Sequence, residues 1–137
     1  MNTSLQYCNI IVNDPDESIA FYRDGLGLQV RNDVTSDGHR WITLGSPLQP
    51  GLEIVLSDPH AGRPQADGDA LQAMLTKGVL PNIVFSTDDL DATFEKVRTA
   101  PGAEVMQEPL DQPWGPRDCA FRDPSGNLIR ISQRIEP

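Results

Sequence analysis

The stretch Val12-Asn13-Asp14-Pro15-Asp16-Glu17-Ser18-Ile19-Ala20-Phe21-Tyr22-Arg23-Asp24-Gly25-Leu26-Gly27-Leu28 decides how this chain is read. Asp14 offers an N-cap, and Pro15 suits the first helical position, where a missing N–H costs nothing. Glu17 stands at the spacing from which a carboxylate returns to the cap N–H. Ile19, Tyr22 and Leu26 fall on one helical face, and Gly25 or Gly27 supplies a left-handed stop. The spacing predicts a short amphipathic helix packed on a sheet.

Upstream, Tyr7–Val12 alternates as a strand with Cys8, Ile10 and Val12 on one face and Tyr7, Asn9 and Ile11 on the other. Downstream, strand-like runs at Leu28–Arg31, His39–Leu44 and Leu52–Leu56 are separated by the turn chemistry of Asp37-Gly38 and Pro47–Gly51. The local order is βαβββ. Ser57–Leu80 follows, interrupted by Asp58-Pro59, Ala61-Gly62, Pro64 and Gly68 before a brief helical run Ala70–Leu75, and reads as a linker. The order then restarts with a strand at Asn82–Ser86, a helix over Asp89–Thr99, and strands at Glu104–Gln107, Arg117–Arg122 and Leu128–Ser132.

Asp14–Ile19 overlays Asp89–Phe94 at an offset of 75 (89 − 14), and Glu53 overlays Arg130 at 77 (130 − 53). The chain therefore divides into a first βαβββ module at 1–56, a linker with a short helix at 57–80, and a second module at 81–137, an α+β organisation. At 137 residues it has room for one core or two small fused ones.

The net charge of −9, with no Lys/Arg cluster to offset it, argues against nucleic acid as a partner. No apolar run reaches membrane-spanning length, and Met1–Gln6 lacks a signal peptide's basic and apolar regions, so a cytoplasmic, non-membrane protein is expected. Cys8 and Cys119 are too few for a disulfide framework and read as reduced thiols buried in strands. No Gly-rich phosphate loop, nucleophile elbow or paired carboxylates occur at a recognisable spacing, so no catalytic residue is assigned.

Val12–Leu28 resembles the V-x-D-x-x-x-S-x-x-F-Y-x-x-x-L-G signature of the glyoxalase/bleomycin resistance/dioxygenase (vicinal oxygen chelate) superfamily. Asp88–Ala92 and Phe121-Arg122-Asp123-Pro124-Ser125-Gly126-Asn127-Leu128 resemble that family's second helix start and its D-P-x-G-N hairpin. The resemblance implies two modules whose sheets curl into an incomplete barrel, a cup that holds a small molecule, and frequent homodimers. It does not imply one activity, because a fold hosts many.

In the metal-dependent members of that family a divalent ion is held from the first and last strands of each module. Counted back from the helix-cap Asp, those positions carry over to Tyr7, Glu53, Asn82 and Arg130. Only Glu53 is a good oxygen donor, and the permanent cation of Arg130 repels a divalent ion, so no metal or other cofactor is expected. Alternation turns Glu53 and Arg130 away from Leu52, Ile54, Leu56, Ile129 and Ile131, and a Glu53–Arg130 ion pair inside the cup is expected. His39 and His60 read as ordinary surface residues, off the first strands.

The expected ligand-binding residues are Tyr7, Asn9, Trp41, Glu53, Asn82, Trp114 and Arg130, flat apolar surfaces with a few polar anchors. The resulting expectation is a metal-independent protein that binds an unidentified aromatic or cationic small molecule, in the manner of antibiotic-sequestering relatives. The alternatives are a lyase, isomerase or dioxygenase-like enzyme with a non-standard or displaced metal site or none, and a structural dimer with an empty cup.

Overall fold

The computed structural model describes residues 1–135. Module one runs β1 (Tyr7–Ile11), α1 (Pro15–Ile19), β2 (Gln29–Ser36), β3 (His39–Gly45) and β4 (Glu53–Ser57). A 13-residue helix α2 (Gln65–Lys77) crosses to module two, which runs β5 (Ile83–Thr87), α3 (Leu90–Val97), β6 (Glu104–Asp111), β7 (Arg117–Arg122) and β8 (Leu128–Gln133). The sheets are ordered β1-β4-β3-β2 and β5-β8-β7-β6, and neither closes into a barrel. In each, the first strand pairs parallel with the last and the other pairs are antiparallel. The duplication read from the sequence is thus the architecture of the molecule.

The Asp14 cap forms as expected: its Oδ1 accepts from the N–H groups of Asp16 at 3.0 Å and Glu17 at 3.1 Å, with Pro15 entering the helix. The helix then widens over Ala20–Gly25 into a π-helical stretch, where Leu26 N–H reaches back five residues to Phe21 C=O at 3.2 Å. Widening brings Phe21 as well as Tyr22 into the core, beyond the single face expected from the spacing.

One core serves both modules. Ile10, Val12, Ile42, Leu44 and Leu56 of the first sheet join Cys119, Phe121, Ile129 and Ile131 of the second, with Phe21, Tyr22, Leu90, Phe94 and Val97 from the helices. The helices therefore lie on the apolar face of each sheet, and the alternate residues form an open face on the other side. The Asp123–Asn127 hairpin clasps the modules together. Ser125 Oγ accepts from Asn13 N–H at 2.9 Å, Asn127 Nδ2 donates to Ile11 C=O at 2.8 Å, and Tyr22 OH donates to Asp123 Oδ2 at 2.7 Å.

Three expectations need correction. Helix α2 spans Gln65–Lys77 rather than the brief Ala70–Leu75, because Gly68 is inside it: a Cβ there would collide with the His60 ring, so the glycine permits close packing and does not break the helix. β2 and β6 extend to Ser36 and Asp111, beyond their expected ends, β2 through one register shift and β6 through two. Cys8 is exposed at the start of β1, whereas Cys119 is buried as expected and its thiol is pushed up to about 12, first by burial and then by Asp118.

Candidate functional site on the open sheet faces

Strand register fixes the equivalent positions of the two modules. Tyr7 stands opposite Glu53 on the parallel β1–β4 pair, and Val84 stands opposite Arg130 on β5–β8. The counterpart of Tyr7 is therefore Val84 and not Asn82, which precedes β5 and is exposed. Counting from the helix cap fails because three steps separate Ile11 from Asp14, but one step separates Asp88 from Asp89, their counterparts. The inherited positions thus carry a phenol, a carboxylate, an isopropyl group and a guanidinium. That donor set does not fit a divalent ion. Among the described residues no three His, Cys, Asp or Glu side chains gather as a metal cluster.

The expected Glu53–Arg130 pair does not form. Glu53 Oε1 accepts from Thr43 Oγ1 at 2.6 Å and from Asn32 Nδ2 at 3.3 Å, both in its own sheet. Arg130 Nη1 donates to Asp118 Oδ2 at 3.3 Å and Gln107 Oε1 at 3.2 Å, again in its own sheet. The two sets are the same device repeated: Thr43 and Asp118, like Asn32 and Gln107, are 75 residues apart. Each charged group on a last strand is satisfied by its neighbouring strands, which removes the need for a partner across the modules.

Asp118 is buried, and its carboxylate also accepts from Gln112 Nε2 and Gln107 Nε2, both at 2.8 Å. Burial opposes its ionisation, but these amides and Arg130 together hold its pKa below the usual carboxylate value. None of Asp118, Gln107, Gln112, Thr43 or Asn32 was expected at the site, although the 75-residue offset relates them.

Trp41 and Asn9 line a cavity of ≈ 660 Å³ on module one, together with Val55, Ser57, Asp58, His60, His39 and Arg40. That volume is in the range of small-molecule pockets. Tyr7 supports the indole edge-on, with ring centroids 5.9 Å apart and planes at 75°. Asn9 Oδ1 accepts from Ser57 Oγ at 2.7 Å. Arg40 is occupied by Asp33 at 2.8 Å and Asp16 at 2.9 Å, and its pKa is raised by Asp33 first and Asp16 second. The cavity includes neither Glu53, Asn82, Trp114 nor Arg130. Trp114 sits between β6 and β7, 73% exposed, so one chain does not bring the two tryptophans into this pocket.

His60 has more structure than an ordinary surface residue. Its Nε2 lies 2.8 Å from Asp69 Oδ1 and its Nδ1 3.5 Å from Asp58 Oδ1, so it ties the cavity's rim to α2. Asp69 above all raises its pKa. The favourable contribution is full below about pH 6.5, the unfolded value, and is lost as pH rises through the folded pKa. By NMR titration the His60 midpoint is expected above 6.5, and Asp69→Asn is expected to lower it; an unchanged midpoint would count against the contact.

Two tandem βαβββ modules with open polar–aromatic sheet faces define the class of protein. The sequence profile of the Glyoxalase/Bleomycin resistance protein/Dioxygenase superfamily matches residues 4–131, and the chain belongs to that superfamily. The uncharacterized protein YurT of Bacillus subtilis (strain 168) is 33% identical over 128 residues, covering 92% of this chain and 95% of YurT. The crystal structure of UcmS2 superposes with a TM-score of 0.85 at 32% identity, covering 98% of this chain and 100% of UcmS2. TnmS3, an antibiotic binding protein from Streptomyces sp. CB03234, shares the fold with a TM-score of 0.72 at 24% identity, covering 98% of each chain.

Proposed function

We propose that this is a metal-independent small-molecule-binding protein of the cytoplasm that takes a flat aromatic ligand, neutral or cationic, against Trp41. The observation that carries this reading is the ≈ 660 Å³ cavity with an edge-supported indole and the polar groups of Asn9, Ser57, Asp58 and His60 around it. A structural neighbour described as an antibiotic binding protein supports the ligand class. The donor set at Tyr7, Glu53, Val84 and Arg130 supports metal independence.

In this proposal the working unit is a homodimer. Tyr7, Trp41 and Val34 on module one and Leu110 and Trp114 on module two are all exposed in the single chain. A second copy laid against these faces shields them and brings Trp114 of one chain toward Trp41 of the other.

The test uses protein purified without chelator. Acridine and 2-naphthol are expected to quench tryptophan fluorescence saturably and to raise the melting temperature, with affinities unchanged by EDTA. Sedimentation equilibrium is expected to give twice the chain mass. A near-stoichiometric divalent ion whose removal abolishes binding would overturn metal independence, and absence of any saturable quenching would overturn the ligand class.

A further inference from the structure

Arg130 is gripped from one side only. Nη1 makes both of its protein hydrogen bonds, to Asp118 and Gln107, and no acceptor among the described residues meets Nη2 or Nε. A guanidinium has five N–H donors. Two belong to Nη1, so three remain on Nε and Nη2, and two of these form the Nε/Nη2 fork whose parallel N–H groups match a carboxylate side-on. The side chain as a whole is 29% exposed, neither closed off nor fully solvated.

The grip also fixes the direction of the fork. Asp118 is 4% exposed, and two glutamine amides from Gln107 and Gln112 hold it in place, so Arg130 is buttressed by a rigid group. An arginine meant only to neutralise Asp118 would present its fork to that carboxylate. Here the contact is through Nη1 alone, at 3.3 Å. The flanking strand β5 adds an apolar surface, because Val84 stands beside Arg130 and is 57% exposed; Ala120, beside it on β7, is buried.

We propose that Arg130 is an anion anchor, and that the open face of module two binds an aryl carboxylate with its carboxylate on Nε and Nη2 and its ring over Val84. The site occupies the place at which Glu53 stands in module one, so duplication has produced two faces of opposite charge preference. The assignment rests on the reading of the open faces as ligand surfaces, and it adds an acid-binding face on module two to the aromatic pocket at Trp41.

Paired probes test it: 2-naphthoate and its uncharged isostere 2-naphthamide, titrated by calorimetry into the full-length protein. Naphthoate is expected to bind about tenfold or more tightly than the amide. Arg130→Gln, which keeps a donor for Asp118, is expected to abolish that preference, while Arg130→Lys, which keeps the charge and loses the fork, should retain only part of it. No preference in the wild type, or a preference that survives Arg130→Gln, would overturn the anchor. Trp41→Ala separates the two readings: acridine binding that depends on Trp41 without a naphthoate preference sinks the anchor alone, whereas an Arg130-dependent preference beside acridine binding that is unchanged by Trp41→Ala sinks the Trp41 pocket alone.

Discussion

Asp123→Ala is expected to lower the stability of the protein by about 4 kcal/mol, read as a fall in the urea midpoint. Asp123 is buried and both of its oxygens are in use. Oδ2 accepts from Tyr22 OH at 2.7 Å and Asn127 Nδ2 at 2.9 Å, while Oδ1 accepts from Ser125 N–H at 3.0 Å and Asn127 N–H at 2.8 Å. Alanine leaves four donors without an acceptor in a site that water does not reach. A buried donor so stranded costs ~1–3 kcal/mol, and the four share one relaxing hairpin, so the total falls short of their sum. Tyr22→Phe removes one bond and is expected to cost about 1–2 kcal/mol. A loss below 1 kcal/mol for Asp123→Ala would show that the hairpin is not the clasp between the modules.

The same pair sets an alkaline limit. Burial first, and Asp123 second, raise the Tyr22 pKa well above its ordinary 10.0. Above about pH 10 the unfolded chain releases the phenol proton while the folded chain keeps it, so stability falls as pH rises. Tyr22→Phe should flatten that fall in urea titrations at successive pH values.

Asp14-Pro15-Asp16-Glu17 made the first strand–helix unit legible, because cap chemistry is local and needs no knowledge of the fold. The second copy was legible by offset, since a duplicated backbone keeps its order even as its side chains diverge. Val84 was hidden by the same method: the two strand-to-helix connections differ by two residues, and only hydrogen-bond register reveals which strand residue faces Arg130. Gly68 read as a breaker because a sequence does not show the His60 ring packed against it. The alternation that sends Glu53 and Arg130 to the open faces was correctly read, but their partners were not. Thr43 and Asp118 lie on the preceding strands, 10 and 12 residues away, where only cross-strand register shows which side chain comes alongside, and Asp118 in particular looks like a surface acid until its two glutamine donors are seen.

Trp41→Ala is expected to weaken acridine binding by about 30–100-fold while leaving the urea midpoint close to that of the parent protein. The indole is 44% exposed, so it contributes less to the core than a buried aromatic, and its open side faces the cavity. A stacked ligand covers on the order of 100 Å² of that ring, out of the ~150–250 Å² a tryptophan can bury. At ~25 cal/mol per Å², losing it costs about 2.5 kcal/mol, which sets the expected fold-change. Tyr7→Phe keeps the edge-on support and should bind as the parent does. Trp114→Ala addresses the second copy: in the proposed dimer it weakens acridine by about tenfold, and if binding there changes less than twofold, Trp114 does not belong to the site. An acridine affinity indifferent to Trp41→Ala would remove the aromatic pocket from this face altogether.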